Sequence, residues 1–254
     1  MTMTIAVAGK GGTGKTTFVA LLIKYIRTHD LGYVIAVDGD PSANLNMALG
    51  MELDETVGHI REAMSEQVQS GRYDVSIPKA RFLEYRINES LVEGDRIDLI
   101  AMGQPEGPGC YCAANNILRD VIDRIKDEYD FVVIDNEAGM EHISRQTTRA
   151  VDKLFIVSDL TMRGLAAAGH IVQLVKELGT RVRDMYLIIN RVTEHIPPPI
   201  LERVEELGLH LFGTLPEDDT VSEFDMLGRP IFEIGDHAPV YQAVVQLAIQ
   251  AGIS

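Results

Sequence analysis

Between Gly9 and Thr17 the chain reads Gly-Lys-Gly-Gly-Thr-Gly-Lys-Thr-Thr, a spacing suited to holding phosphate groups. Glycines at 9, 11, 12 and 14 free the backbone to curl until consecutive N–H groups point inward, and such a curl is an anion-binding concavity. In this pattern Lys15 reaches the β- and γ-phosphates of a nucleotide and Thr16 offers a hydroxyl to Mg2+. The pattern requires strand, loop, helix, and the sequence supplies them: the apolar run Thr4 to Ala8 comes before the loop and an amphipathic stretch from Thr16 to Thr28 comes after. Gly9, Lys10, Gly11, Gly12, Thr13, Gly14, Lys15, Thr16 and Thr17 are therefore the candidate phosphate-binding residues. Lys15 already fills the cationic role within one protomer. Lys10 then points outward, either as an ordinary solvated lysine or toward a facing subunit.

Two further acidic segments end apolar runs, Val37-Asp38-Gly39-Asp40-Pro41 and Val133-Ile134-Asp135-Asn136-Glu137-Ala138-Gly139. A carboxylate released at the end of a buried strand is placed to hold Mg2+ through its water shell, and a glycine shortly after it can turn its N–H toward the γ-phosphate. Asp135 and Gly139 suit those roles. The competing reading for Asp38 and Asp135 is a helix N-cap after a strand. Guanine-reading proteins carry Asn-Lys-x-Asp, whereas here the corresponding stretch is Asn190-Arg191-Val192-Thr193, which favours ATP. His142, in the polar stretch after Gly139, reads as solvated, with a ligand or switch role as the alternative.

The elements that must position these residues follow from periodicity. Seven short apolar runs, Ile5–Ala8, Val34–Val37, Ile97–Met102, Phe131–Ile134, Leu154–Val157, Met185–Ile189 and Leu211–Leu215, read as buried parallel strands. Helical patterns at Lys15–His29, Asn115–Glu128, Gly164–Leu178 and Pro198–Leu207 lie between them. The alternation predicts an α/β fold with a doubly wound, mostly parallel seven-stranded sheet flanked by helices, its ligands beyond the carboxyl ends of the strands. The stretch from 52 to 94 is polar and mixed and reads as a surface excursion within one domain spanning 1–254. With 46% hydrophobic residues among 254, one large core is affordable without a second domain. The net charge of −15 disfavours nucleic acid and anionic membrane as partners. No leader pattern and no apolar run of about 20 residues is seen, so a cytoplasmic protein is expected.

Cys110 and Cys112, the two cysteines of the chain, flank Tyr111 after a Gly/Pro-rich loop. In an extended segment residues i and i+2 project to one side and can chelate a soft metal; in a helix they diverge by about 200°. A helix beginning near Asn115 would place its N-terminus beside the sulfurs and favour thiolates. Soft divalent metals want four ligands, so two thiolates from each of two protomers, meeting on a two-fold axis, would complete one site. Small core residues, a redox disulfide and iron–sulfur ligation stand as alternatives.

The loop form Lys-Gly-Gly-x-Gly-Lys-Thr resembles the deviant phosphate loop of the MinD/ParA/NifH group of dimeric ATPases. Together with the Asp-Asn-Glu-Ala-Gly-Met-Glu-His stretch and Cys-x-Cys, the whole chain resembles the CooC group within it, the ATPases that assist nickel insertion into carbon monoxide dehydrogenase. The resemblance implies that Lys10 reaches the nucleotide of the facing subunit. It implies that Asp40 orients the attacking water while Asp38 supports the metal, and that Asn190, Arg191 and the backbone at Pro216-Glu217 hold the adenine. Lys10, Lys15 and Asp40 are then the catalytic residues, and ATP with Mg2+ the bound nucleotide. Cys110 and Cys112 would be the intersubunit site for Ni2+ or Zn2+, and apo carbon monoxide dehydrogenase the client of a homodimer. An ATP-gated iron–sulfur carrier or NifH-like electron-transfer protein is the alternative. A DNA-positioning relative needs a basic face, and a membrane-positioning one a basic terminal helix; 239–254 contains no Lys or Arg.

Overall fold

In the computed structural model, which describes residues 2–104, 111–136 and 150–254, each of the seven apolar runs is a strand. They are β1 (Met3–Ala8), β2 (Val34–Asp38), β3 (Ile97–Ala101), β4 (Phe131–Asp135), β5 (Ala150–Ser158), β6 (Arg181–Val192) and β7 (Leu211–Pro216). All neighbours pair in parallel in the order β3-β2-β4-β1-β5-β6-β7. The chain leaves the central β1 toward one edge, fills β2, β3 and β4 on that side, and then crosses to build β5, β6 and β7 on the other. The reversal falls at β1, so its carboxyl end opens into the crevice where a doubly wound sheet binds ligands.

Alternate residues on each strand point to opposite faces, and both faces are covered. Ile5, Val7, Val34, Ala36 and Val133 join one core with α1 (Lys15–Thr28) and the C-terminal α9 (Pro239–Gln250). Ala6, Ala8, Ile35, Val37 and Ile134 join the other, under α5 (Tyr111–Ile125), α6 (Met162–Glu177) and α7 (Pro198–Glu206). Helix α1 is buried from Phe18 through Ile26, because sheet, α9 and the short α2 (Leu45–Leu49) enclose it. It is the rod on which the phosphate loop is mounted.

The expected surface excursion is more than surface. It contains α3 (Val57–Gln69) and α4 (Lys79–Glu89), whose Val57, Ile60, Leu83 and Ile87 enter the second core. Thr56 caps α3 through the amide of His59, and Gly58 N–H donates to the Met102 carbonyl at 2.8 Å, which roots the excursion at the carboxyl end of β3. The helix expected from Asn115 begins four residues earlier, at Tyr111. Helix α8 (Asp219–Leu227), with Asp218 as its N-cap, and α9 complete the set. No helix among the described residues is long and apolar enough to cross a membrane.

If the excursion belongs to the cooperative core, Ile87→Ala, at a fully buried site, lowers the unfolding free energy by about 2–5 kcal/mol. Val75→Ala, 92% exposed in the α3–α4 connection, changes it by less than about 0.5 kcal/mol. Urea unfolding of both variants measures this, and a small effect for Ile87→Ala would make the excursion an independently fraying flap.

Candidate nucleotide site

Steric limits set the path of the loop leaving β1. Gly9, at φ +155°, lies against the backbone carbonyl of Val157 in β5, so that no side chain fits there. Gly14, at φ +91°, forms the left-handed entry to α1, and a Cβ on it would run into the Asn190 amide. Between them three donors converge on one acceptor, the Lys10 carbonyl: Thr13 Oγ1 at 2.8 Å, Thr13 N–H at 3.4 Å and Lys15 Nζ at 3.5 Å. Asn190 Nδ2 donates to the Thr13 carbonyl at 2.8 Å from the end of β6. The loop is thus held curled by protein contacts alone, with Lys15 buried beneath it. Preorganisation of this kind removes an ordering cost from phosphate binding.

Thr16, on the first turn of α1, donates its hydroxyl to Asp135 Oδ2 at 2.6 Å. Asp135 is 2% exposed, and among the described residues its Oδ1 has no hydrogen-bond partner. Burial raises its pKa to about 7, with the negative charges of Asp38 and Asp40 adding to the rise and the Thr16 hydroxyl and Lys15 opposing it. A buried carboxylate oxygen without a donor, next to a threonine hydroxyl, matches what a hard divalent cation requires of its ligands. Mg2+ therefore fits Thr16 and Asp135.

Asp38 sits opposite Asp135 in the β2–β4 register. Both of its oxygens are committed to the following turn: Oδ1 accepts from the Asp40 N–H at 3.0 Å and Oδ2 from the Leu45 N–H at 2.8 Å. Expected to support the metal, it also shapes the segment between β2 and α2 through these bonds. Burial lifts its pKa to about 6 despite those two bonds. Asp40 is half-buried on that segment, and its Oδ1 accepts from Ser42 N–H and Oγ at 2.8 and 2.7 Å.

On the other side of the loop Asn190, Arg191, Pro216 and Glu217 come together with Gly14 and Thr17 around a cavity of about 320 Å³. This is where a base and ribose would lie beside a phosphate held by the loop. Within the protein the Asn190 Oδ1 accepts from Arg191 N–H at 2.8 Å while one N–H of its amide holds Thr13, which leaves a second N–H on the amide. It fixes the loop and the cavity wall.

Two residues that sequence reasoning passed over belong here. Asn136, buried directly after Asp135, donates Nδ2 to the Val7 carbonyl at 2.9 Å and keeps the end of β4 against β1. Asp218 accepts from Thr220 N–H at 2.9 Å and Val240 N–H at 3.0 Å, tying α8 and α9 to the cavity wall. Its place before a helix and two residues past Pro216 was the available signal. Gly139, His142 and Cys110 lie outside the described residues. Cys112 falls within α5, so the extended Cys-x-Cys geometry expected from the sequence is not what its backbone adopts. Among the described residues no group of three His, Cys, Asp or Glu could hold a metal ion.

With the geometry established, comparison places the chain among known proteins. The model of the AAA domain family matches residues 2–188. An uncharacterized ATP-binding protein of Methanocaldococcus jannaschii is 42% identical over 246 residues, covering 97% of both chains. The carbon monoxide dehydrogenase accessory protein CooC of Rhodospirillum rubrum is 30% identical over 246 residues, covering 91% of this chain and 90% of its own. Among solved structures, the septum site-determining protein MinD of Pyrococcus horikoshii, complexed with Mg-ADP, superposes with a TM-score of 0.70 at 22% identity over 98% of this chain and 96% of its own. The chain thus belongs to the AAA domain family and is an ATPase, and its all-parallel sheet has the fold of MinD.

Proposed function

We propose that this ATPase works as a nucleotide-gated homodimer in the cytoplasm, its 254 residues forming one domain, and that it carries nickel to apo carbon monoxide dehydrogenase. The observation that carries the dimer is Lys10. Its carbonyl is fixed by three donors while its side chain, 43% exposed, stands on the rim of a loop whose phosphate charge Lys15 already meets. A cation so placed serves a phosphate that approaches from outside the protomer.

In this reading Lys15 and the loop amides hold the β- and γ-phosphates. The facing subunit's copy of Lys10 neutralises charge as the bond from the γ-phosphorus to the bridging oxygen breaks, and Asp40 orients the water that attacks in line. Thr16 and Asp135 would hold Mg2+, which spreads the charge of the β- and γ-oxygens; Asp38 keeps Asp40 in place; Gly139 would direct its N–H to the γ-phosphate. Arg191, Pro216 and Glu217 would border the adenine.

The nickel reading is supported by Cys110-Tyr111-Cys112 and by the similarity to CooC of R. rubrum. The backbone of Cys112 lies in the first turn of α5. Four thiolates from two protomers would accept Ni2+, with Zn2+ as competitor. The root of the cysteine segment also suits coupling. β3 lies beside β2, so Met102 N–H donates to the Asp38 carbonyl at 2.8 Å, next to the Asp40 segment that senses the γ-phosphate. β4 lies one strand further away, so the signal would run through the Asp40 segment rather than directly through the loop after Asp135.

The two lysines separate binding from turnover. Lys15→Ala should abolish nucleotide binding. Lys10→Ala should keep ATP affinity within a few fold yet lose hydrolysis by on the order of a thousandfold, together with the ATP-stabilised dimer. Calorimetry and sedimentation decide it, and normal hydrolysis by Lys10→Ala removes the dimeric mechanism.

A second test concerns the buried acid. The folded Asp135 pKa of about 7 lies above the usual 3.8, so between those values the folded state binds more protons than the unfolded one. Stability without Mg2+ should therefore fall as pH rises from about 4 through 7, with Asp38 adding to the slope below about 6, and Asp135→Asn should reduce that slope and raise the melting temperature at pH 8 while losing the stabilisation by Mg2+. Identical slopes in both proteins would show that Asp135 titrates normally.

The third test is of the metal. Anaerobic titration with Ni2+, with mass measured alongside, should give one ion per dimer, lost in Cys110→Ser and in Cys112→Ser with ATP binding intact. One ion per monomer, or retention by Cys112→Ser, defeats the shared site.

A further inference from the structure

We propose that Asp159 is a positioning residue for the ATPase reaction: it holds Lys10 within its own protomer and sets the threshold at which two protomers close around nucleotide. The proposal rests on the dimeric reading above and identifies what regulates it. Asp159 Oδ2 lies 3.7 Å from Lys10 Nζ. The carboxylate is fixed in place, since the Thr161 hydroxyl donates to its Oδ1, and Gly164 leaves no room beside that oxygen for a side chain. Thr161 in turn caps α6, accepting from Gly164 N–H at 3.0 Å.

The two residues belong to one rigid frame. Asp159 follows β5 directly, two residues past the Val157 carbonyl against which Gly9 is packed. The Lys10 backbone cannot drift away, because its carbonyl is held by Thr13 and Lys15. Only the four-carbon stem of Lys10 is free to choose between the carboxylate at home and a phosphate across an interface. The choice is poised to be reversible, since an ion pair exposed to this degree is worth little in water, whereas a lysine enclosed with phosphate at an interface gains more. A dimer would break two such pairs, one per protomer.

The geometry also fixes the direction of the effect. Removing the charge of Asp159 releases Lys10 and should favour closure. Asp159→Asn keeps an oxygen to accept the Thr161 hydroxyl, so the start of α6 stays capped. Sedimentation with an ATP analogue that resists hydrolysis should then show half-dimerisation at about two- to thirtyfold lower protein concentration than wild type, the range expected from losing two exposed pairs. The ATPase rate per protomer at low protein concentration should rise correspondingly while the rate at saturating protein changes little. Lys10→Ala/Asp159→Asn should behave as Lys10→Ala alone, because the effect passes through Lys10. An unchanged or raised half-dimerisation concentration in Asp159→Asn, with its melting temperature within a few degrees of wild type, overturns the proposal. So does recovery of the dimer in the double variant. A wild-type protein that stays monomeric with the analogue at every concentration would instead defeat the dimeric reading itself, so the two failures are distinguishable.

Discussion

The nucleotide site depends on how closely β1 can approach β5 as the chain leaves the sheet. At Gly9 the backbone passes beneath the Val157 carbonyl at a distance no β-carbon would permit, and this forces the next residues to rise and curl rather than continue the strand. The curl brings Thr13 back onto Lys10, turns Gly14 left-handed into α1, and delivers Lys15 and Thr16 to the first helical turn, where the helix dipole is most favourable to anions. Everything downstream uses positions set by that one close approach. The buried face of α1 carries no charge except Lys15 and Lys24, so the rod is anchored by apolar contact and its functional end is held still.

Across the loop from β5 stand two buried acids, and their different bonding divides labour that their shared burial would not suggest. Asp38 engages both oxygens with backbone amides and acts on the chain after it. Asp135 engages one with a threonine hydroxyl and has no partner for the other among the described residues. An orphaned carboxylate oxygen in a protein interior is costly, and the cost is met only when a cation arrives or a proton is taken up. The raised pKa of Asp135 and its fitness for a divalent ion are therefore the same fact viewed with and without the metal.

Much of this was legible in the residues. The strands could be read because both faces of the sheet are covered, so each strand is a continuous apolar run such as Val34 to Val37. The phosphate loop could be read because few spacings satisfy its geometry. α3 and α4 were hidden by their burial pattern: each offers the core a narrow stripe, Val57 and Ile60 or Leu83 and Ile87, amid charged residues that resemble a surface stretch. The start of α5 was misjudged because Tyr111 to Ala114 carries no capping side chain to announce it. Which oxygen of Asp38 meets which amide, and that Asn190 serves Thr13 before any base, depend on distances across 7 and 177 residues that no local spacing encodes.

Strand order also decides how a change at phosphate can travel. By chain order the segment leaving β3 and the segment leaving β4 look like neighbours, joined by α5. In the sheet β2 stands between them, and the Asp38 carbonyl is the acceptor for Met102 N–H, while Met102 offers its own carbonyl to Gly58 at the head of α3. The Asp40 segment and the exit of β3 are therefore bonded to the same residue, Asp38. Gly103, next in line, sits at φ +64° with the Thr56 side chain packed where a β-carbon would be, so this joint has little slack in which to dissipate motion. The Asp38 residue thus joins the two segments directly, its side chain bonded to the Asp40 amide and its carbonyl to the Met102 amide at the exit of β3.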